Sequence, residues 1–349
     1  MNMTGALLAE DFATLRALLR EPRFAGLQQT IYGPDACCED RVTPPRTFVR
    51  DFAAASAAAG TVDGVTIHIY PLPRFANNSC DPPLFTDKDT LASLVLSTLQ
   101  YASWAAPLLR AGAPLIVGET ATSAHGGCDG LSNRFIAGFT LFYELGTYAE
   151  LGVAQMNRQD LAGFSSETEP SNYGLLGPPG WFSGPLGQPH PDYFSLLLFK
   201  QLVGQRVLSS AFSAAANLST VWDSHVFCAA SGGGAVALTF FNMAGDALEL
   251  TVPQLAAAQA PREEFILTSS ATPEAPLSGG ISDWPASLTA DAIFLNGVLM
   301  ATNADGTLPQ WPVPGRVVTD PGEAIAVPSW SYGLIVFRDA GADACAGGL

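Results

Sequence analysis

Residues 62–70, VDGVTIHIY, and residues 114–119, PLIVGE, decide the fold. Each is a short run of β-branched and other apolar residues that ends on polar side chains. Between them lies Leu91–Leu109, a stretch without a charged residue that is long enough for a helix. Two such strands joined by a helix form a crossover unit, which makes the strands parallel neighbours. The rhythm extends both ways. Downstream, Phe135–Leu151 reads as a helix, Gly152–Gln159 as a strand, and Pro191–Val203 as a helix opened by proline. Upstream, Phe48–Ala59 is an alanine-rich helix and Leu27–Tyr32 a strand that ends in Gly33-Pro34-Asp35. Before it, Glu10–Leu19 carries an apolar stripe at Phe12, Leu15, Leu18 and Leu19, the spacing of one helix face.

Beyond about residue 205 the pattern changes to short strands separated by turns, at 207–212, 225–230, 235–242, 247–252, 265–268 and 334–337. Ser231-Gly232-Gly233-Gly234 is a hairpin turn, so its glycines need no phosphate to explain them. The expected fold class is α/β followed by all-β: residues 1–205 form β/α units, and residues 206–349 form a β-sandwich.

Composition narrows the function. Of 349 residues, 48% are hydrophobic and 14% charged, and 32 acidic against 16 basic residues give a net charge of −16. With Lys88 and Lys200 as the only lysines, the chain lacks the clustered cations that nucleic acid binding needs. Ser93, Ser97, Thr98, Gln100, Ser103 and Pro107 interrupt Leu91–Leu109, which therefore reads as a protein-covered amphipathic helix and not a membrane span. The first residues, MNMTGALLAEDF, have no leader-like pattern. Cysteines at 37, 38, 80, 128, 228 and 345 lack the paired spacing of a structural zinc site, so no metal is expected. An even cysteine count and glycosylation sequons at Asn2, Asn77 and Asn217 favour a secreted, extracellular or lysosome-like protein.

Chemistry in a parallel α/β barrel sits where the strands finish. Here those ends carry Asp35, then His68 with Tyr70, then Glu119, then Arg158 with Gln159. A carboxylate among a phenol, an imidazole, a guanidinium and an amide suits recognition of a polar ligand, and no cofactor is implied. Glu119 is a candidate glycosidase nucleophile, with Tyr70 placed to aim it and Arg158 to favour its charge. A solvated strand end or a structural ion pair explains Glu119 as well. No GxSxG elbow, HExxH or Walker loop offers another mechanism. His190 and His225 read as ordinary surface or hairpin histidines. Trp181, Phe182, Tyr193 and Phe194 are either a sugar-stacking platform or, for the last two, a packed helix flank.

The order of motifs resembles the heparanase-like glycoside hydrolases, family 79. It is carried by Tyr32-Gly33-Pro34-Asp35, Val65–Tyr70, Gly118-Glu119-Thr120, Ala124-His125-Gly126-Gly127, Leu131-Ser132, Phe135 and Ala137-Gly138-Phe139. It continues through Arg158-Gln159, Asn172-Tyr173, Pro191-Asp192-Tyr193, Leu197–Lys200, Leu202-Val203-Gly204, Leu295-Asn296-Gly297 and Pro328–Tyr332. The resemblance implies a (β/α)8 barrel with an appended β-sandwich that cleaves β-glucuronide bonds with retention. It places the nucleophile at Glu119 and puts Tyr70, Gln159 and Tyr173 along the sugar site, with His68 and His125 beside them. The backbone amides of Gly126 and Gly127 would hold the uronate carboxylate, and His125 stands where the family has tyrosine. Asp35, Arg158 and Asn172 would support the site. Cys228 and Cys345 fall on the family's disulfide in the β domain, and Cys80 could pair with Cys128.

The family's acid/base glutamate belongs to an Asn-Glu-Pro motif that does not occur here. The expectation is therefore the second half of a barrel, strands five to eight, with the acid/base outside this chain, either on a missing N-terminal segment or on a separate chain. A catalytically inactive carbohydrate-binding or structural relative is the alternative. On this reading residues 1–349 alone do not turn over aryl β-glucuronides, because the leaving group departs unassisted. The expected partner is a glucuronide-containing oligo- or polysaccharide. A neutral or lightly charged one is favoured, since a net charge of −16 repels a sulfated chain.

Overall fold

The computed structural model describes residues 3–27, 29–37, 47–72, 80–162, 171–177, 189–213, 222–258, 260–272, 286–303, 305, 307–308 and 312–347. The sequons at Asn2, Asn77 and Asn217, and also Cys38, Trp181 and Phe182, lie outside the described residues. The chain divides into two compact units. The first comprises Met1–Pro71, Ala92–Ala121 and Leu151–Gln159, and the second comprises Leu72–Leu91, Thr122–Glu150 and Asp160–Leu349.

The first unit is built on four parallel strands in sequence order: β1 (Tyr32–Cys37), β2 (Gly64–His68), β3 (Leu115–Thr120) and β4 (Gln155–Arg158). The inner strand β2 buries Val65 and Ile67 completely. A central parallel strand is covered on both faces and so reads as a continuous apolar run. The edge strand β1 alternates instead. The helices α1 (Gly5–Leu19) and α2 (Phe48–Ala59) pack together. Thr4 caps α1 by accepting from the amide of Leu7 at 3.2 Å. A side chain at Gly5 would lie 2.1 Å from the Phe48 carbonyl, and Phe12 meets Phe52 edge to face at 5.2 Å. The helix α3 (Lys88–Arg110) joins this unit from Ala92 onward. No helix among the described residues is long and apolar enough to cross a membrane.

The strand expected at 27–32 is displaced, because β1 begins where that run ends. The side chain of Asp63 explains the shift. Its carboxylate accepts from the Ile31 amide at 2.7 Å, and its own amide donates to the Ile31 carbonyl at 2.7 Å. Ile31 is thereby held outside the strand ladder, which starts at Tyr32 opposite Gly64.

The second unit contains α4 (Ala137–Glu150), α5 (Pro191–Leu202) and an antiparallel sheet. Its strands are β5 (Val203–Leu208), β6 (Trp222–Ala229), β7 (Val236–Asn242), β8 (Leu248–Leu250), β9 (Arg262–Thr268), β10 (Phe294–Leu295), β11 (Val298–Leu299), β12 (Arg316–Val318), β13 (Ile325–Val327) and β14 (Ser331–Phe337). The large sheet runs β11-β10-β9-β14-β7-β6-β5, with β12 added on β9, while β8 and β13 pair separately. The helix α5 passes directly into β5, whose first residue, Val203, is extended and closes the helix, so the strand begins earlier than the 207 expected. The strands β10 to β13 were not expected, because two- and three-residue strands are too short for a hydrophobic period to show.

Alternation along β7 gives the sheet two apolar faces. Leu238 and Phe240, with Ile335 and Phe337 of β14, pack on Ile325 and Val327 of β13. Phe241 points the other way, 6.4 Å from Phe139 and 6.1 Å from Tyr143 of α4. At the centre of that second face Tyr332 is fully buried among Phe135, Phe139 and Phe142, with ring centroids 4.9, 5.0 and 5.0 Å away. Its hydroxyl lies 3.1 Å from the hydroxyl of Ser195, and burial holds its pKa far above the ordinary phenol value. The expected disulfide Cys228–Cys345 is present, closing a sequence separation of 117, as is Cys80–Cys128. A loop that long contributes about 4 to 5 kcal/mol in the chain-entropy account. No described cysteine is free.

Of the two histidines read as surface or hairpin residues, His225 lies in the β6–β7 hairpin, but both are buried, each 5% exposed. His190 places Nδ1 2.6 Å from the Gly174 carbonyl at the start of α5. His225 sits against Gly146, where a side chain would come within 2.1 Å of its ring, and has Nε2 3.7 Å from Glu150. Lys88 pairs with the neighbouring Asp223 at 3.5 Å. Burial pushes the His225 imidazole below its ordinary range against the pull of Asp223, and burial with the charge of Asp223 pushes Glu150 above the usual carboxylate range.

Two outcomes are expected from this packing. Gly138→Ala puts a methyl group 2.0 Å from the Tyr332 hydroxyl, so the urea midpoint should fall by the equivalent of about 1 to 3 kcal/mol. Glu150 has a raised pKa in the folded state, so its contribution is complete below the ordinary carboxylate range and is lost as pH rises through the raised value. Urea denaturation across a pH series should therefore show the parent losing stability relative to Glu150→Gln as pH increases.

Candidate functional site

At the C-terminal end of the parallel sheet every strand pair slips in register. Between β1 and β2 the extra residue is Asp35, since Pro34 pairs Thr66 and Ala36 pairs Ile67. Between β2 and β3 it is Gly118, since Ile67 pairs Val117 and His68 pairs Glu119. A further slip lies between Val117 and Thr120 against β4. A bulge breaks the strict up-and-down alternation of a strand and re-aims the side chain at the irregularity. The slips gather Asp35, His68 and Glu119 along one line.

Glu119 accepts a hydrogen bond at Oε1 from the Tyr70 hydroxyl. Its Oε2 lies 3.6 Å from His68 Nδ1, while His68 Nε2 lies 3.1 Å from Asp35 Oδ1. The latter pair is at ion-pair distance but outside hydrogen-bond geometry. Side-chain exposure is lowest in the middle of the line, 16% for His68, against 28% for Glu119 and 59% for Asp35. Tyr70 is buried. A partly exposed carboxylate held by a buried phenol and flanked by an imidazole is anchored on one side and open on another, the arrangement a nucleophile requires.

The other expected residues of this unit are close in sequence to the same strand ends. Gln159 continues β4, its amide donating to the Thr120 carbonyl at 2.9 Å, and Arg158 donates to the Gln159 carbonyl at 2.9 Å.

Within the second unit His125, Gly126 and Gly127 follow one another at positive φ, at 59°, 87° and 74°. The Gly126 carbonyl accepts from the Asn172 amide at 2.6 Å. A side chain at Gly127 would press on Ser132 at 2.8 Å and on the Tyr173 ring at 3.1 Å, so only glycine fits there. Asn172 is 5% exposed, and its Oδ1 has no hydrogen-bond partner among the described residues. Cys128, joined to Cys80, donates its amide to the Ser132 hydroxyl at 2.8 Å and secures this segment. Tyr193 and Phe194 meet edge to face at 5.5 Å with Phe194 buried, a packed helix flank. No group of metal-ligating side chains occurs among the described residues.

Sequence reasoning named these residues but missed two features of the site. One is the role of Gly118, where a side chain would stand 2.3 Å from Asp35 Oδ1. The other is the left-handed backbone of Asp35, with φ of 59°. The Gly-Glu pair at the strand end was the available signal for the first, and for the second only the Pro-Asp of a turn-like sequence.

Comparison with solved structures shows a TIM-barrel-like fold. The GH51 arabinofuranosidase from Xanthomonas axonopodis pv. citri is similar with a TM-score of 0.57 at 14% identity, covering 96% of this chain and 63% of that one. A 4-O-alpha-L-rhamnosyl-beta-D-glucuronidase from Fusarium oxysporum 12S follows at 0.56 and 14%, covering 96% of this chain and 65% of that one. By sequence the chain is heparanase-like. It is 28% identical to mouse heparanase over 351 residues, 98% of this chain and 57% of the relative. It is 29% identical to bovine heparanase over 98% of this chain and 56% of the relative. The baicalin-beta-D-glucuronidase of Scutellaria baicalensis is 28% identical over 55% of this chain and 31% of that protein. The chain thus spans little more than half the length of the heparanases it matches. No family model matches it.

Proposed function

We propose that the chain carries the nucleophile half of a retaining β-glucuronidase of the heparanase-like family 79, acting on glucuronide-containing glycans with Glu119 as nucleophile. The observation that carries this reading is the Glu119 carboxylate at the end of β3, held by Tyr70 and faced by His68. In the first step an Oε of Glu119 attacks C1 of the glucuronide. The C1–O bond to the leaving group breaks with its electron pair, and a glycosyl ester forms. In the second step water attacks C1, the C1–O bond to Glu119 breaks to return its carboxylate, and the water's proton passes to solvent.

Tyr70, His68 and Gln159 are assigned to the sugar and the nucleophile, and Arg158 to their support. His125, Gly126, Gly127 and Tyr173 are assigned as sugar-contacting residues, and Asn172 as a support whose buried acceptor is available to a hydroxyl. The general acid is assigned to no residue of this chain, which has no Asn-Glu-Pro. Residues 1–205 are proposed as strands five to eight of the catalytic barrel and residues 206–349 as a β-sandwich domain. The bonded cysteines suit a secretory or lysosome-like compartment. A net charge of −16 favours a lightly charged glycan over a heavily sulfated one.

A leaving group that needs no proton tests the nucleophile independently of the acid. A glucuronosyl fluoride with fluorine at C2 loses fluoride unaided, and its ester hydrolyses slowly. Mass spectrometry of the full chain should show one added glycosyl group on the peptide containing Glu119, and none for Glu119→Gln. An unlabelled parent that still binds glucuronides would instead make the chain an inactive carbohydrate-binding relative. Tyr70→Phe should slow labelling by about 10- to 100-fold, the loss of one hydrogen bond to a charged group.

A further inference from the structure

We infer that Asp35 is a positioning residue for Glu119, acting through the imidazole of His68; this rests on the reading of Glu119 as nucleophile. Three independent features of the backbone converge on the Asp35 carboxylate. Asp35 is the extra residue of the bulge in β1, so its side chain is re-aimed relative to its neighbours in the strand. It holds φ at 59°, a left-handed conformation that costs energy in any residue but glycine and persists where the surroundings enforce it. Facing it is Gly118, itself the extra residue of the next bulge, where the first carbon of any side chain would stand 2.3 Å from Asp35 Oδ1. The strand that carries the nucleophile therefore leaves out a side chain at the point where the Asp35 carboxylate passes over it.

That passage brings Oδ1 within 3.1 Å of His68 Nε2, on the side of the ring opposite Nδ1 and Glu119. The ring therefore stands between two carboxylates, one on the side of each nitrogen. Asp35 holds the ring from the Nε2 side so that Nδ1 faces Glu119 Oε2. Glu119 is then contacted from two directions, by the Tyr70 hydrogen bond at one oxygen and by the His68 ring 3.6 Å from the other, which fixes the attacking oxygen. Asp35 touches neither sugar nor nucleophile in this account. At 59% side-chain exposure it contributes little to the core, so its replacement leaves the fold intact.

The experiment uses the full chain and two variants. Asp35→Asn keeps the shape and removes the charge, whereas Gly118→Ala keeps the charge and displaces the carboxylate. With the C2-fluorinated glucuronosyl fluoride, both should lower the maximal labelling rate of Glu119 by roughly 10- to 100-fold, the loss of one contact to a charged group. The concentration giving half that rate should stay unchanged. In parallel, the ring nitrogen resonances of His68 should move in both variants while those of His190 do not. Parent-like labelling by Asp35→Asn, or a change confined to the half-saturating concentration, overturns the inference. If the parent itself is not labelled, the assignment of Glu119 fails, and the nitrogen resonances alone decide whether Asp35 governs His68; unmoved His68 signals reject that link.

Discussion

Parallel strands present neighbouring side chains at fixed levels, and a regular four-stranded sheet would keep Asp35, His68 and Glu119 out of line. The register slips at Asp35 and Gly118 remove that restriction at the one end of the sheet where side chains can meet a ligand. Everything proposed for the first unit follows from this. The regular part of the sheet, with Val65 and Ile67 fully enclosed, supplies rigidity, and the irregular part supplies direction. A glycine in such a place contributes by having no side chain, and Gly118 is the clearest instance.

The second unit solves a different problem, that of seating two helices on a twisted antiparallel sheet. Tyr332 does so by placing one ring among Phe135, Phe139 and Phe142 while its hydroxyl reaches Ser195 on α5. A tyrosine is suited to this position because its body packs as an apolar residue and its tip satisfies a polar neighbour. Gly138 is the matching concession in α4.

Much of the parallel unit was legible in the sequence because its signals are local. The run 62–70 and the run ending at Glu119 announce strands, and Phe48–Ala59 announces a helix whose limits the structure repeats. Where local signals stop, so does the reading. The start of β1 depends on the side chain of Asp63, which is distant in sequence from Ile31. The burial of His190 and His225 depends on Gly174 and Gly146, and no periodicity records such contacts. The members of the candidate site were legible as polar residues at strand ends. Their mutual geometry was not, because a bulge leaves no mark in composition.

The link between Cys228 and Cys345 has one more consequence. The short helix α6 (Asp343–Ala346) carries Cys345, and the Gly234 amide donates to the Cys345 carbonyl at 3.1 Å. The covalent bridge spans 117 positions, and β7 to β14 all lie inside that span. A protease that nicks the backbone within this circle opens a ring without shedding a fragment. The two pieces stay joined through the bridge between β6 and α6, and reduction is needed to remove that covalent link.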